Sequence, residues 1–351
     1  MPNLEPTLER DVAIGRLALD SGVTLEGVVQ RVSIYGNVRP DGSNVVLVAH
    51  ALTGSSRVAD WWPGIIGPGK LLDTNRLAVV GINALGGCYG STGPTSIGPD
   101  GTRFGANFPV VTVPDIVRAQ RAALERLGIS QVALAIGGSL GGMQALEWAL
   151  SAPRQVESAI VVGAYDSFSA MGIALNAVAR EAIRNGGPTP TAGIELARKI
   201  AMLTYKSEAL FSHRFGRRFD RKGGDPGRNH ADRFDIEGYL NYQGSIFAAR
   251  MDDHTYLTLT RAMDLFDTRE RKLDRALPAL TFVGISSDWL FRAEDVRRAA
   301  ERFAEHGADS VYLELESHHG HDAFLAESEQ LAELLASRFS SEARNRALRA
   351  S

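Results

Sequence analysis

A doubly wound α/β sheet interrupted by an inserted helical cap is the fold class that the 351-residue sequence predicts. Three observations carry it. Short β-branched runs alternate with longer amphipathic ones, and several of the short runs are apolar throughout, as parallel strands covered by helices on both faces are. The alternation stops between Asp166 and Arg261, where helical or irregular sequence takes over.

The elements follow in order. The opening "MPNLEPTLERDVAIG" has early acidic residues and no long apolar run, so it does not read as a signal peptide. "LEGVVQRVSIYG" (25–36) reads as part of a leading antiparallel hairpin. "NVVLVAH" (44–50), "RLAVVGIN" (76–83), "QVALAIGG" (131–138), "ESAIVVGA" (157–164), "ALTFVGIS" (279–286) and "SVYLELES" (310–317) read as strands. Between them, "VPDIVRAQRAALERLG" (113–128), "GMQALEWALSAP" (142–153) and "RAEDVRRAAERFAEHG" (292–307) have helical periodicity. The expected division is a catalytic core of residues 1–165 and 262–351, with a helical cap at 166–261. No internal repeat or Pro-rich linker calls for a further tandem domain.

The chemistry gathers around one serine. "ALAIGGSLGGMQALEWAL" (133–150) crowds Gly137, Gly138, Gly141 and Gly142 around Ser139, between an apolar run and a helical pattern. A helix favours alanine over glycine, so the repetition implies a backbone that side chains would obstruct. "GGSLG" satisfies G-x-S-x-G in the strand, sharp turn and helix context of a nucleophile elbow, which would present Ser139 at a helix N-terminus. A serine hydroxyl needs a base, and the base needs an orienting acid, in the chain order Ser, Asp or Glu, His. Asp288 follows one predicted strand, and His321 in "GHDAF" follows the next, with Gly320 allowing a turn before it. His318 and His319 read as loop residues, and Glu294 and Asp295 as the solvated face of the 292–307 helix. The expected oxyanion donors are the backbone N–H groups of Leu140, at the helix start, and Leu52 in "AHALTGSS".

Longer motifs now become specific. "HALTG", "WWPGIIGPGKLLDTNR", "INALGGCYGSTGPTS", "FPVVTVPDIVRAQ", "GGSLGGMQALEWA", "LARKIAMLTYKS" and "GHDAFL", in that order from about Asn44 to Leu325, resemble the homoserine O-acyltransferase family of the α/β-hydrolase superfamily. The resemblance implies an α/β-hydrolase core with a mostly parallel sheet. It also implies ping-pong transfer of an acyl group from acyl-CoA, through Ser139, to the hydroxyl of L-homoserine, within methionine synthesis. Acetyl-CoA is the preferred co-substrate on the form of "HALTG", with succinyl transfer and L-serine as the alternatives within the class. The family's amino-acid-binding residues fall on Arg198, Tyr205 and Asp322. A spacing of seven independently puts Arg198 and Tyr205 two turns apart on one helical face, where a guanidinium could grip a carboxylate; Asp322 could bind an ammonium. The family also implies a homodimer through the cap. The segment "GGPTPT" (186–191) is shorter than in the relatives and bears on the shape of the cap entrance.

The remaining features narrow the function class. A formal charge of −3 and the acidic residues interrupting "HRFGRRFDRKGGDPGR" (213–228) argue against nucleic acid; its arginines are candidates for attracting the phosphates of CoA. "GIIGPGK" lacks the ending of a phosphate-binding loop, and "WWPG" reads as packing at the sheet edge. The eight histidines show no paired spacing with acidic or cysteine ligands, so no metal is expected, and the serine acyltransferase reading calls for no tightly bound cofactor. The one cysteine, Cys88, reads as a packed small residue and suits a reducing compartment, with the cytoplasm as the expected location. No segment approaches membrane-spanning length. A hydrolase using water as acceptor, and a non-catalytic binding protein on the same fold, are the readings from other classes.

Overall fold

The computed structural model describes residues 4–189, 191–274, 276–336 and 338; the outer ends of the expected core segments and Pro190 of "GGPTPT" lie outside the described residues. The chain runs β1 (Leu8–Ala18), β2 (Thr24–Tyr35), β3 (Val45–Ala49), the one-turn α1 (Val58–Trp61), β4 (Ala78–Ile82), α2 (Val113–Arg126), β5 (Leu134–Gly138), α3 (Leu140–Ser151) and β6 (Ser158–Val162). Five helices follow: α4 (Ala170–Asn185), α5 (Ala192–Tyr205), α6 (Glu208–Arg214), α7 (Asp235–Ala248) and α8 (Asp253–Asp264). The chain then returns to the sheet with β7 (Ala279–Ile285), α9 (Ala293–Glu305), β8 (Ser310–Leu315) and the short α10 (Ala323–Ala326).

Eight strands form one sheet in the order β1-β2-β4-β3-β5-β6-β7-β8. The β1–β2 and β2–β4 pairs are antiparallel, and every later pair is parallel. "LEGVVQRVSIYG" lies in β2. Its partner "LERDVAIGRLA" is harder to read, because charged residues occupy its exposed face and register shifts at Gly15 break its alternation.

The apolar-throughout strands owe that pattern to burial on both faces. Val45 and Leu47 of β3 join one hydrophobic cluster, whereas Val46 and Val48 join the other. Helices α2, α3 and α9 cover the first face, and α2 opens with a Thr112/Asp115 capping box. Trp62 and Phe324 cover the second, with the Trp62 indole N–H donating to the Phe324 carbonyl at 2.8 Å. "WWPG" therefore packs in the cluster with the central-strand residues Val48 and Ile136, rather than at the sheet edge, because both faces of those strands need an apolar cover. Ala197, Phe247, Tyr256 and Met263 of the five inserted helices belong to the first cluster too, so these helices share the hydrophobic core of the sheet.

The glycines of the Ser139 turn have a steric cause. A Cβ on Gly141 would be driven into the carbonyl oxygen of Ala49 at the end of β3, and one on Gly137 would lie 2.7 Å from the same oxygen. Gly141→Ala is expected to destabilise the protein by about 1–3 kcal/mol through overpacking, read as a lower urea midpoint at unchanged slope. An unchanged midpoint would show that α3 does not need this close approach.

Candidate active site

Ser139 stands between β5 and α3 with φ +58°, the sole positive φ among the described non-glycine residues. A side chain in this region costs about 1–3 kcal/mol, so its neighbours must hold it. Its N–H donates to the Val162 carbonyl at 2.9 Å, and its own carbonyl accepts from the Met143 N–H at 3.1 Å to open α3.

Asp288 follows β7 and is buried. One carboxylate oxygen accepts from His321 Nδ1 at 2.6 Å, while the other accepts the backbone N–H groups of Leu290 and Phe291, both at 2.9 Å. With Nδ1 donating, Nε2 carries the lone pair, which is the tautomer a general base requires. Nε2 makes no hydrogen bond, so its link to Ser139 Oγ is not closed in this structure; such contacts commonly tighten when substrate binds. The imidazole stacks on Phe291 (ring centroids 5.0 Å apart), meets Phe324 edge-on (5.7 Å) and leans on Tyr205 (5.8 Å). Burial alone would depress the His321 pKa, but the charge and hydrogen bond of Asp288, helped by Asp322, hold it above the ordinary histidine value.

The inserted helices fix the histidine loop. Gly320 has φ +69°, and a Cβ there would lie 2.7 Å from the backbone of Lys206 and Ser207. The Ser207 hydroxyl donates to the His318 carbonyl and accepts the Leu210 N–H at 3.0 Å at the start of α6.

The parallel pairing of β3 with β5 sets the Leu52 loop beside the Ser139 turn. Leu52 and Ser139 line one narrow cavity of ≈ 20 Å³, with Tyr205, Tyr256, Met263 and Leu290 among its other walls. Leu140 opens α3, where the first N–H groups of a helix lack intrahelical partners. Two further residues hold this arrangement and were not singled out from the sequence. His50 donates from Nδ1 to the Ala51 carbonyl at 2.8 Å and accepts the Ala84 N–H on Nε2 at 2.9 Å. Burial lowers its pKa, which favours the neutral ring these bonds need. Gln144 donates to the carbonyls of His50 and Leu140, each at 3.1 Å, and is itself held by Gln120 at 2.7 Å. A glutamine within the otherwise apolar "GMQAL" was the available signal.

The candidate amino-acid-binding residues meet nearby. The Arg198 guanidinium lies over the rings of Tyr205 (5.3 Å to the centroid) and Phe247 (5.0 Å), and its buried Nε has no partner. Asp322 adjoins His321 but is paired with Lys206 Nζ at 2.8 Å, a partner that the motif did not anticipate. Glu294 and Asp295 of α9 pair with Arg292, just before the helix, and with Arg298, whereas the partner of His321 is Asp288. Within the basic stretch, Arg218 and Arg221 face Asp235, and Arg228 faces Asp225. Burial raises the Cys88 thiol pKa. Among the described residues, no group of three or more His, Cys, Asp or Glu is placed to hold a metal, and no helix is long and apolar enough to cross a membrane.

The chain matches the model of the alpha/beta hydrolase fold over residues 44–328. It is 38% identical to the homoserine O-acetyltransferase of Carboxydothermus hydrogenoformans over 93% of each chain. It is 40% identical to the homoserine O-succinyltransferase of Neisseria gonorrhoeae, covering 89% of this chain and 90% of that one. Among solved structures it superposes on esterase E22 with a TM-score of 0.85 at 26% identity, covering 94% of this chain and 99% of the other. A serine turn, an Asp288-bound His321 and a helical insertion thus occur in a chain similar along nearly its whole length to acyl-transferring relatives, and it belongs to the homoserine O-acyltransferase family of the α/β-hydrolase fold.

Proposed function

We propose that this protein is a homoserine O-acetyltransferase that carries the acetyl group of acetyl-CoA on Ser139 and delivers it to the hydroxyl of L-homoserine. The observation that carries the reading is the His321 ring, oriented by Asp288 on one side and touching Tyr205, the neighbour of Arg198, on the other. That arrangement puts an acid–base group beside residues suited to gripping an amino acid.

In the first half-reaction, Ser139 Oγ attacks the thioester carbonyl as its proton passes to His321 Nε2. Asp288 stabilises the imidazolium, and the N–H groups of Leu52 and Leu140 bind the oxyanion. The C–S bond breaks, and CoA leaves with the proton from His321. In the second, His321 takes the proton of the homoserine hydroxyl, whose oxygen attacks the acyl-enzyme; Ser139 recovers the proton as O-acetylhomoserine leaves. Arg198 holds the acceptor carboxylate with Tyr205 beside it, and the acceptor ammonium takes the place of Lys206 on Asp322. The product suits methionine synthesis, and the single cysteine suits the cytoplasm.

Acetyl is preferred over succinyl as the transferred group on the form of "HALTG" (50–54), with succinyl transfer as the alternative. Esterase E22 favours one second reading, hydrolysis with water as acceptor, because its fold matches this chain so completely. A homodimer through the inserted helices is supported by their exposed apolar residues: Met171 and Val178 on α4, Leu196 and Leu203 on α5, Tyr242 and Ile246 on α7.

Thiol release from acetyl-CoA and succinyl-CoA, each with L-homoserine, L-serine or no acceptor, tests the reading. Homoserine-dependent release giving O-acetylhomoserine is expected, with no acyl-enzyme in Ser139→Ala; equally fast release without an acceptor, giving free acid, would make the protein a hydrolase. Because His321 must be neutral to act as base and its pKa is raised, kcat/KM for acetyl-CoA should fall on acidification with a midpoint above about 6.5. A midpoint at or below that value would count against His321 as the base. Sedimentation should find a dimer that Leu203→Glu dissociates, whereas wild-type monomers would reject the cap interface.

A further inference from the structure

A second cleft, of ≈ 370 Å³, lies between the inserted helices and the core segment 105–110. Helix α4 contributes Arg180 and Arg184, one turn apart, and α8 contributes His254, Leu257, Thr258 and Arg261, which recur on one helical face. The same two helices send Asn176, Ala179, Tyr256 and Met263 into the cavity at Ser139, so they form a wall between two cavities.

Three guanidinium groups border this cleft. Asp264 faces two of them: it bonds Arg180 at 2.5 Å, lies 3.7 Å from Arg261 and accepts from Asn176 at 2.9 Å. Arg180 is only 2% exposed, yet its Nε and Nη1 are buried without a partner. Buried donors left unmatched cost free energy that an acceptor would recover, and a guanidinium fork matches the oxygens of a phosphoryl group. The basic stretch 213–228 differs, since several of its arginines already face carboxylates.

We propose that this cleft binds a phosphoryl anion of about diphosphate size, with Arg180 as the buried anchor and Arg184 and Arg261 closing over it. Two sources carry this chemistry: the phosphate-bearing end of the acyl donor, and a free polyphosphate anion acting apart from the reaction. The donor alternative rests on the acyl-transfer reading; anion binding does not.

Calorimetric titration with inorganic pyrophosphate at low salt tests the cleft directly. Saturable binding to the wild type is expected, weakened at least tenfold in the double variant Arg184→Gln/Arg261→Gln and weakened by added salt. Both substitutions are at exposed positions, and thermal melting checks that the variant is folded. Arg180→Lys, which keeps the charge and removes the fork, should also bind more weakly. The absence of saturable binding to the wild type, or equal binding by the folded double variant, would overturn the proposal.

Kinetics then separate the sources. If the donor's phosphates occupy the cleft, the double variant raises the KM for acetyl-CoA about tenfold and leaves the phosphate-free thioester S-acetyl-N-acetylcysteamine unaffected. If a free anion occupies it, neither KM changes while pyrophosphate binding is lost. A wild type without transferase activity would sink the acyl-transfer reading and leave the pyrophosphate titration to decide the cleft.

Discussion

The site depends on one backbone approach, the first turn of α3 against the carbonyl end of β3. Gly141 meets Ala49 there without a side chain between them. Any Cβ would push α3 outward and part the Leu52 loop from the Ser139 turn. Gln144 then bridges the carbonyls of His50 and Leu140, so the separation is held by hydrogen bonds as well as by packing. Glycine within a helix opposes stability by about 0.5–1 kcal/mol and positive φ at Ser139 by about 1–3 kcal/mol. They persist because buried neighbours on both faces over-determine this turn.

Two buried ionic groups show how differently the protein uses charge. Asp288 has a donor for each oxygen: His321 on one, and two backbone N–H groups on the other. Its carboxylate is held in place and leaves the imidazole free to exchange its proton at Nε2. Arg180 has its contact with Asp264 but keeps two buried nitrogens unmatched. A satisfied buried ion positions a neighbour, whereas an unsatisfied one creates a demand for a ligand.

Much of this was legible in the sequence because the responsible patterns are local. The apolar runs locate β3 to β8, and Gly137, Ser139 and Gly141 announce their turn through residue types that a regular strand or helix would avoid. Asp288 and His321 were found by following successive strand ends. Less was legible where the cause is distant in the chain. Nothing near Asp322 indicates that Lys206 would occupy it, and Arg180 resembles any other helical arginine until α8 is packed beside it. The leading antiparallel hairpin is present as β1 and β2, but the sequence does not place β1 within it, because one exposed face and irregular register erase the alternation that identifies a strand.

Fold alone does not choose between homoserine and water, since esterase E22 matches this chain over 94% of its length, inserted helices included. The choice falls to individual side chains, and those nearest His321 stand where the inserted helices meet the histidine loop. Gly320 packs bare backbone against Lys206 and Ser207, so the His321 loop and the end of α5 are positioned as one piece. That same end presents Tyr205 beside Arg198 and places Lys206 on Asp322. A tethered cation already satisfies Asp322, so an ammonium alone gains little by replacing it. An amino acid whose carboxylate also reaches Arg198 gains a second charged contact from the same placement. Two-point capture of this kind would favour an acceptor carrying both groups and orient its hydroxyl toward His321, while water, with neither charge, gains nothing from the exchange.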